Sequence, residues 1–134
     1  MNALNKKIKN VMTRGVVTAE MGTTVRDVIK ILSGENIHGI AVIAPDDEIV
    51  GVITDTDIIN AVGEDLDKLT ADDIMSSNIK KIGPENTLRD AAEIMKKEKI
   101  HRVLITSKGC AGGPDVPIGI LSSTDIMREI AKEK

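Results

Sequence analysis

The 134-residue chain contains no phenylalanine, tyrosine or tryptophan. Its core must be aliphatic, built from Ile, Val, Leu, Met and Ala. The same absence excludes the stacked aromatic platforms that hold single-stranded nucleic acids. Positive charge is also short: 18 Lys and Arg stand against 21 Asp and Glu, a net charge of −3. That balance argues against the basic face of a nucleic-acid binder. The single cysteine, Cys110, forbids an internal disulfide and points to a reducing cytoplasm. The opening "MNALNKKIKNVM" has no continuous apolar stretch of the kind a signal peptide needs. The longest apolar run, around "IHGIAVIAP", is far too short for a bilayer. With 41% hydrophobic residues, the reading is a soluble cytoplasmic protein with one core, or two small halves sharing one.

Chemistry is missing as well. "GCAGGPD" is Gly-rich but lacks the Lys-Ser/Thr of a phosphate-binding P-loop and reads as a hairpin tip carrying an exposed Cys110. His38, His101 and Cys110 do not have metal-ligand spacing. No nucleophile stands with a base and an orienting acid, so catalysis is not expected.

What the chain does contain is a duplication. "VMTRGVVTAEMGTTVRDVIKILSGENIHGIAVI" lies over "IMSSNIKKIGPENTLRDAAEIMKKEKIHRVLIT" without a gap. Met12 falls on Met75, Thr24 on Thr87, Arg26-Asp27 on Arg89-Asp90 and Ile37-His38 on Ile100-His101. The frame breaks in a loop, longer in the second copy, and resumes with Gly51 over Gly119. Thr54 and Asp57 then fall on Ser122 and Asp125. The copies span residues 8–64 and 75–134, with a short connecting helix at 65–74.

Each copy reads β-α-β-β-α. An extended piece (16–18; 79–81) precedes a Thr-capped helix whose inner face carries Val25, Val28, Ile29 and Leu32, or Leu88, Ala91, Ala92 and Met95. The runs "GIAVI" and "RVLIT" fit buried strands, each paired with a second strand through a turn-rich loop. A last helix starts at Thr54 or Ser122. Leu66, Leu69 and Ile74 have helical spacing in the connection, where "TADD" caps a short helix. The methionines at 12, 75, 95 and 127 are expected in the core. At about sixty residues, neither half is expected to be comfortably stable alone.

Both copies end on a hydroxyl with a carboxylate three residues on: Thr54/Asp57 and Ser122/Asp125. This spacing resembles a capping box, although that box prefers Glu or Gln at its far end. It also suits a ligand, since a helix N-terminus favours an anion and a carboxylate accepts two hydrogen bonds from a vicinal diol such as ribose.

With "VMTRGVVT", "TVRDVIKIL", "IHGIAVI", "GVITDTDII" and "GILSSTDIM" in this order, the chain resembles a tandem pair of CBS domains, the Bateman module, over residues 8–131. The resemblance implies an α/β (α+β type) fold of two repeats packed sheet to sheet about a pseudo-two-fold axis. It implies two clefts taking AMP, ADP, ATP or S-adenosylmethionine. Asp57 and Asp125 would hold ribose hydroxyls, with Thr54 and Ser122 near ribose and phosphate. Val16, Val17, Ile79 and Lys80 would border adenine, while Val52, Ile120, Ile37 and Ile100 would line its pocket. His101 and Arg102 would face phosphate, Arg being a permanent planar cation. The first copy has His38-Gly39 instead, which implies unequal clefts. Lys80, Lys81 and Arg128 are expected on solvated surface.

The expected function is a regulatory module that signals an adenosine ligand to an effector protein, as a homodimer and without nucleic acid or membrane. The competing reading is a structural or interaction subunit with non-functional clefts.

Overall fold

The computed structural model describes residues 2–35, 39–108 and 113–133. The chain divides into two compact units. One, the central unit, is Val16–Ile79; the other, the terminal unit, combines Met1–Gly15 with Lys80–Lys134.

The central unit holds β2 (Thr18–Glu20), α1 (Val25–Glu35), β3 (Gly39–Ile43), β4 (Ile49–Thr54), α2 (Asp55–Ala61) and α3 (Ala71–Ile74). Its sheet has the order β2-β3-β4, parallel then antiparallel. The terminal unit holds β1 (Thr13–Arg14), β5 (Lys81–Ile82), α4 (Leu88–Glu98), β6 (Arg102–Ser107), β7 (Val116–Ser122) and α5 (Ser123–Ala131). Its sheet runs β1-β7-β6-β5. Two short 3-10 turns, Ala3–Asn5 and Ile8–Asn10, precede β1. Among the described residues no helix is long and apolar enough to cross a membrane.

Each sheet packs one face against its helices. In the central unit Val28, Leu32, Ile40, Val42, Ile53 and Ala71 form the core. In the terminal unit Ile8, Leu88, Met95, Ile105, Leu121 and Ile126 do so. The expected inner-face positions Val25, Val28, Leu88 and Ala91 are wholly buried. Burial of one such Val or Leu side chain contributes about 1.5–3 kcal/mol.

The units do not coincide with the sequence repeats. The lead-in of each copy packs on the body of the other. Ile8 N–H donates to Asn86 O (2.8 Å), Lys9 N–H to Pro84 O (3.0 Å) and Leu88 N–H to Lys6 O (3.0 Å). At the equivalent places Ala71 N–H donates to Thr23 O (2.7 Å), Asp72 N–H to Met21 O (3.1 Å) and Val25 N–H to Leu69 O (2.8 Å). β1 pairs antiparallel with β7, Thr13 opposite Ile120. Ser76, the counterpart of Thr13, bridges Val52 through hydrogen bonds of 2.9 and 3.0 Å.

Several expectations shift. The extended pieces begin as strands at Thr18 and Lys81, because the Val17 and Lys80 carbonyls make the first sheet contacts, with Ala41 and Leu104. Leu66 and Leu69 lie in a turn region before α3 rather than on a helix. Their carbonyls accept from Arg26 and Val25, amides of the first turn of α1 that no intrahelical partner could satisfy. Met12 and Met95 are buried, but Met127 is 59% exposed, contrary to its expected core position. On α5 it is Ile126 and Glu129 that turn inward. The hairpin tip with Cys110, like Ile37 and His38, lies outside the described residues.

Glu129 is buried at 9% exposure. Its Oε1 accepts from Lys6 Nζ at 2.7 Å and its Oε2 from Lys132 Nζ at 2.9 Å. These donors, Lys6 foremost, hold the carboxyl below the ordinary glutamate value of 4.5. A depressed folded-state value adds stability above the unfolded-state value, and that stability is lost as pH falls through the folded value. Glu129→Gln should therefore lower Tm at pH 7, with the gap to the parent closing below about pH 4. A gap independent of pH would show that the ion pairs contribute nothing.

Gly51 is dictated by the second lead-in. A Cβ there would stand 2.3 Å from Met75 Sδ and 2.9 Å from Met75 Cβ. The side chain can swing away, but its Cβ is fixed by the Ser76 bridge. Gly51→Ala is expected to cost about 1–3 kcal/mol, and Met75→Ala in the same chain should recover part of that in urea unfolding. Additive losses in the double variant would refute the clash.

Candidate functional site

Each repeat closes with a strand that turns directly into a helix. Thr54 (φ −122°, ψ 177°) and Ser122 (φ −109°, ψ 163°) are the extended N-caps of α2 and α5. Thr54 N–H donates to Asp57 Oδ2 at 2.8 Å, and the Thr54 hydroxyl lies 3.3 Å from the same oxygen. Ser122 N–H donates to Asp125 Oδ2 at 2.9 Å, and the Ser122 hydroxyl accepts from Asp125 N–H at 3.2 Å. The capping box is thus formed at both junctions.

It is formed elsewhere too. Thr70/Asp73 and Thr87/Asp90 make the same box on α3 and α4, and the Thr24 hydroxyl accepts from Asp27 N–H at 3.2 Å on α1. Every α-helix of the described residues therefore starts on a hydroxyl residue with Asp three residues on. Repetition of the motif alone does not mark a ligand site. Burial separates the two strand-to-helix junctions from the others: Asp57 and Asp125 are half-buried, whereas Asp27, Asp73 and Asp90 are exposed. One oxygen, Oδ2, serves the cap at both junctions, which leaves Oδ1 to other partners. At Asp57 no protein donor reaches Oδ1 among the described residues. At Asp125 it accepts from Arg128 Nη1 at 3.2 Å.

The remaining expected residues that the structure describes each belong to one unit or the other. In the terminal unit Arg102 opens β6 directly opposite Ser122. The His101 carbonyl accepts from Ser123 N–H at 2.8 Å, while the His101 side chain is exposed. Ile120 precedes Ser122 by two positions on β7, and Ile100 packs against the core beneath. Lys80 is half-buried, with Nζ 3.6 Å from Glu98 Oε1. In the central unit Gly39 stands opposite Thr54 where the other unit has Arg102. Val52 is half-buried on β4. Val17 packs against the core with its carbonyl held by Ala41 N–H at 3.0 Å. Val16 and Ile79, at the ends of this unit, are half-buried. Arg128, expected as free surface, is exposed but paired with Asp125. The i, i+3 spacing of Asp125 and Arg128 on a helix was the readable signal for that pair.

The CBS domain family model matches residues 8–64 and 71–132. The chain is 22% identical over 132 residues to the uncharacterized protein MJ1225 of Methanocaldococcus jannaschii, covering 98% of this chain and 45% of that protein. It spans less than half the length of this relative and of others that it matches. Among solved structures, the CBS domain pair of protein MJ0100, in complex with 5′-methylthioadenosine and S-adenosyl-L-methionine, superposes with a TM-score of 0.78 at 26% identity. That match covers 96% of this chain and 98% of the other. An uncharacterized conserved protein from Pyrococcus horikoshii superposes with a TM-score of 0.77 at 23% identity, covering 100% and 97% of the two chains. With two matched segments, two equivalent β-α-β-β-α bodies and a common strand-to-helix junction in each, the chain belongs to the CBS domain family, as a tandem pair.

Proposed function

We propose that this CBS pair is a regulatory module that binds an adenosine-containing ligand, AMP, ADP, ATP or S-adenosylmethionine, with Asp57 and Asp125 accepting from ribose hydroxyls. The observation that carries this reading is the likeness to the MJ0100 domain pair, which was solved with two adenosine compounds. The half-buried position of both carboxylates, each with one oxygen outside its cap, supports it. Thr54 and Ser122 lie beside the sugar. Val16, Val17, Ile79, Lys80, Val52, Ile120, Ile100 and Ile37 supply aliphatic and backbone contacts to the base, which suits a chain without aromatic residues. In this reading His101 and Arg102 face the phosphates, with Arg102 favouring the Ser122 junction for a phosphorylated ligand, and His38, outside the described residues, is the first copy's counterpart of His101. Binding favours one conformation over another by its differential affinity, and an effector protein reads the shift.

The final helices of both repeats carry the same exposed apolar pair, Ile59 and Val62 on and after α2, Met127 and Ile130 on α5. These pairs support assembly as a homodimer, which sedimentation velocity of the parent and of Ile59→Glu/Met127→Glu would test.

The direct test of binding is a thermal shift with each ligand, backed by native mass spectrometry for stoichiometry. A ligand at one hundred times its Kd should stabilise the fold by about 2.7 kcal/mol. No shift with any of the four at millimolar concentration would remove the reading. One observation favours the alternative of a structural or interaction subunit: the Asp-closed cap also occurs at Thr70 and Thr87, where no ligand is proposed.

A further inference from the structure

The two junctions differ in one feature of the carboxylate that the ligand would use. Asp125 has a side-chain exposure of 15% and its Oδ1 is held by Arg128, whose side chain is 60% exposed. Oδ2 is already committed to Ser122 N–H. Asp125 therefore has no oxygen clear of protein donors, unlike Asp57. The residue equivalent to Arg128 in the first copy is Asn60, one helical turn past Asp57.

We propose that Arg128 is a specificity-determining residue that tunes the Ser122/Asp125 junction toward anionic ligands and away from uncharged nucleosides. This rests on the reading that Asp125 accepts from a ribose diol. A diol reaching Oδ1 must share it with the guanidinium or displace it. An uncharged adenosine gains nothing from the cation that it disturbs. A phosphorylated adenosine does gain: a guanidinium has five N–H donors and no acceptor, and only one of its nitrogens is engaged with Asp125. Arg102, directly across the sheet from Ser122, adds a second cation at this end of the β6–β7 hairpin. Asn60 and Gly39 hold the two equivalent positions in the central unit, so that unit's junction has neither cation. Arg128 acts partly through Asp125 and partly on the ligand's charge. Its mark is therefore a change in the ratio of affinities rather than a uniform loss.

The test compares AMP with adenosine by isothermal calorimetry in an Asp57→Asn background, where the weakened first junction leaves the Ser122/Asp125 junction to dominate the signal. Arg128, Arg128→Ala and Arg128→Glu are measured at low and high salt. The preference for AMP should fall about fivefold on Arg128→Ala, the upper range for an exposed ion pair, and further on Arg128→Glu. Salt should weaken AMP binding most with Arg128 present. An unchanged ratio in variants that still bind, or an equal loss for both ligands, would overturn the role of Arg128 while leaving the adenosine reading intact. Absence of binding by the parent chain to either ligand would overturn both.

Discussion

Removing residues 1–15 is expected to abolish cooperative unfolding of the body formed by Lys80–Lys134, although those fifteen residues precede the first repeat's own strand β2. Ala3, Ile8 and Met12 are buried at 1%, 0% and 7% exposure in that body, and Ile8 belongs to the same apolar cluster as Leu88 and Leu121. The truncation also strips β1 from the outer edge of β7, leaving an unpaired edge open to intermolecular pairing. A milder form of the experiment is Ile8→Ala, which should cost about 2–5 kcal/mol, as for any fully buried aliphatic residue. Set against a usual total of about 5–15 kcal/mol, that is a large fraction. Urea unfolding followed by circular dichroism reads both variants. An unchanged midpoint and slope in the truncated chain would mean that the lead-in is an ornament.

Replacing both junction carboxylates should separate cap from ligand contact. Asp57→Asn/Asp125→Asn keeps a carbonyl oxygen able to accept from the Thr54 and Ser122 amides, so stability should move by less than about 1 kcal/mol. The anionic acceptor facing the ribose is lost, and affinity at each site should drop about tenfold or more, the usual worth of a hydrogen bond to a charged group. Asp57→Ala/Asp125→Ala should lose both binding and the cap. Adenosine-ligand affinity that survives the Asn pair unchanged would leave these residues as caps alone and favour the structural-subunit reading.

Much of the fold was legible in the sequence because the copies repeat it twice. The β-α-β-β-α order, the two hairpins and the helix starts at Thr54, Thr70, Thr87 and Ser122 follow from periodicity and capping chemistry, which act over a few residues. The candidate site was legible as a motif but not as a discriminating one. The same spacing caps α1, α3 and α4, and only burial sets Asp57 and Asp125 apart. Met127 was misplaced because the apolar residues of α5 occupy two faces, and which one meets the sheet is a matter of how the helix lands. The buried Glu129 was invisible because its partner Lys6 comes from the other end of the chain.

The local pattern by itself determined two copies of one unit, an aliphatic core and the caps that start each helix. Tertiary structure decided which body each lead-in joins. β1 is antiparallel to β7, β7 is antiparallel to β6, and β6 is parallel to β5, so β1 runs parallel to β5. Placed on its own repeat, β1 would run parallel to β2 in one sheet, joined to it only by Gly15, Val16 and Val17. Parallel strands of one sheet need a crossover of about a dozen residues or more. The short connection forbids that arrangement, and the lead-ins are exchanged.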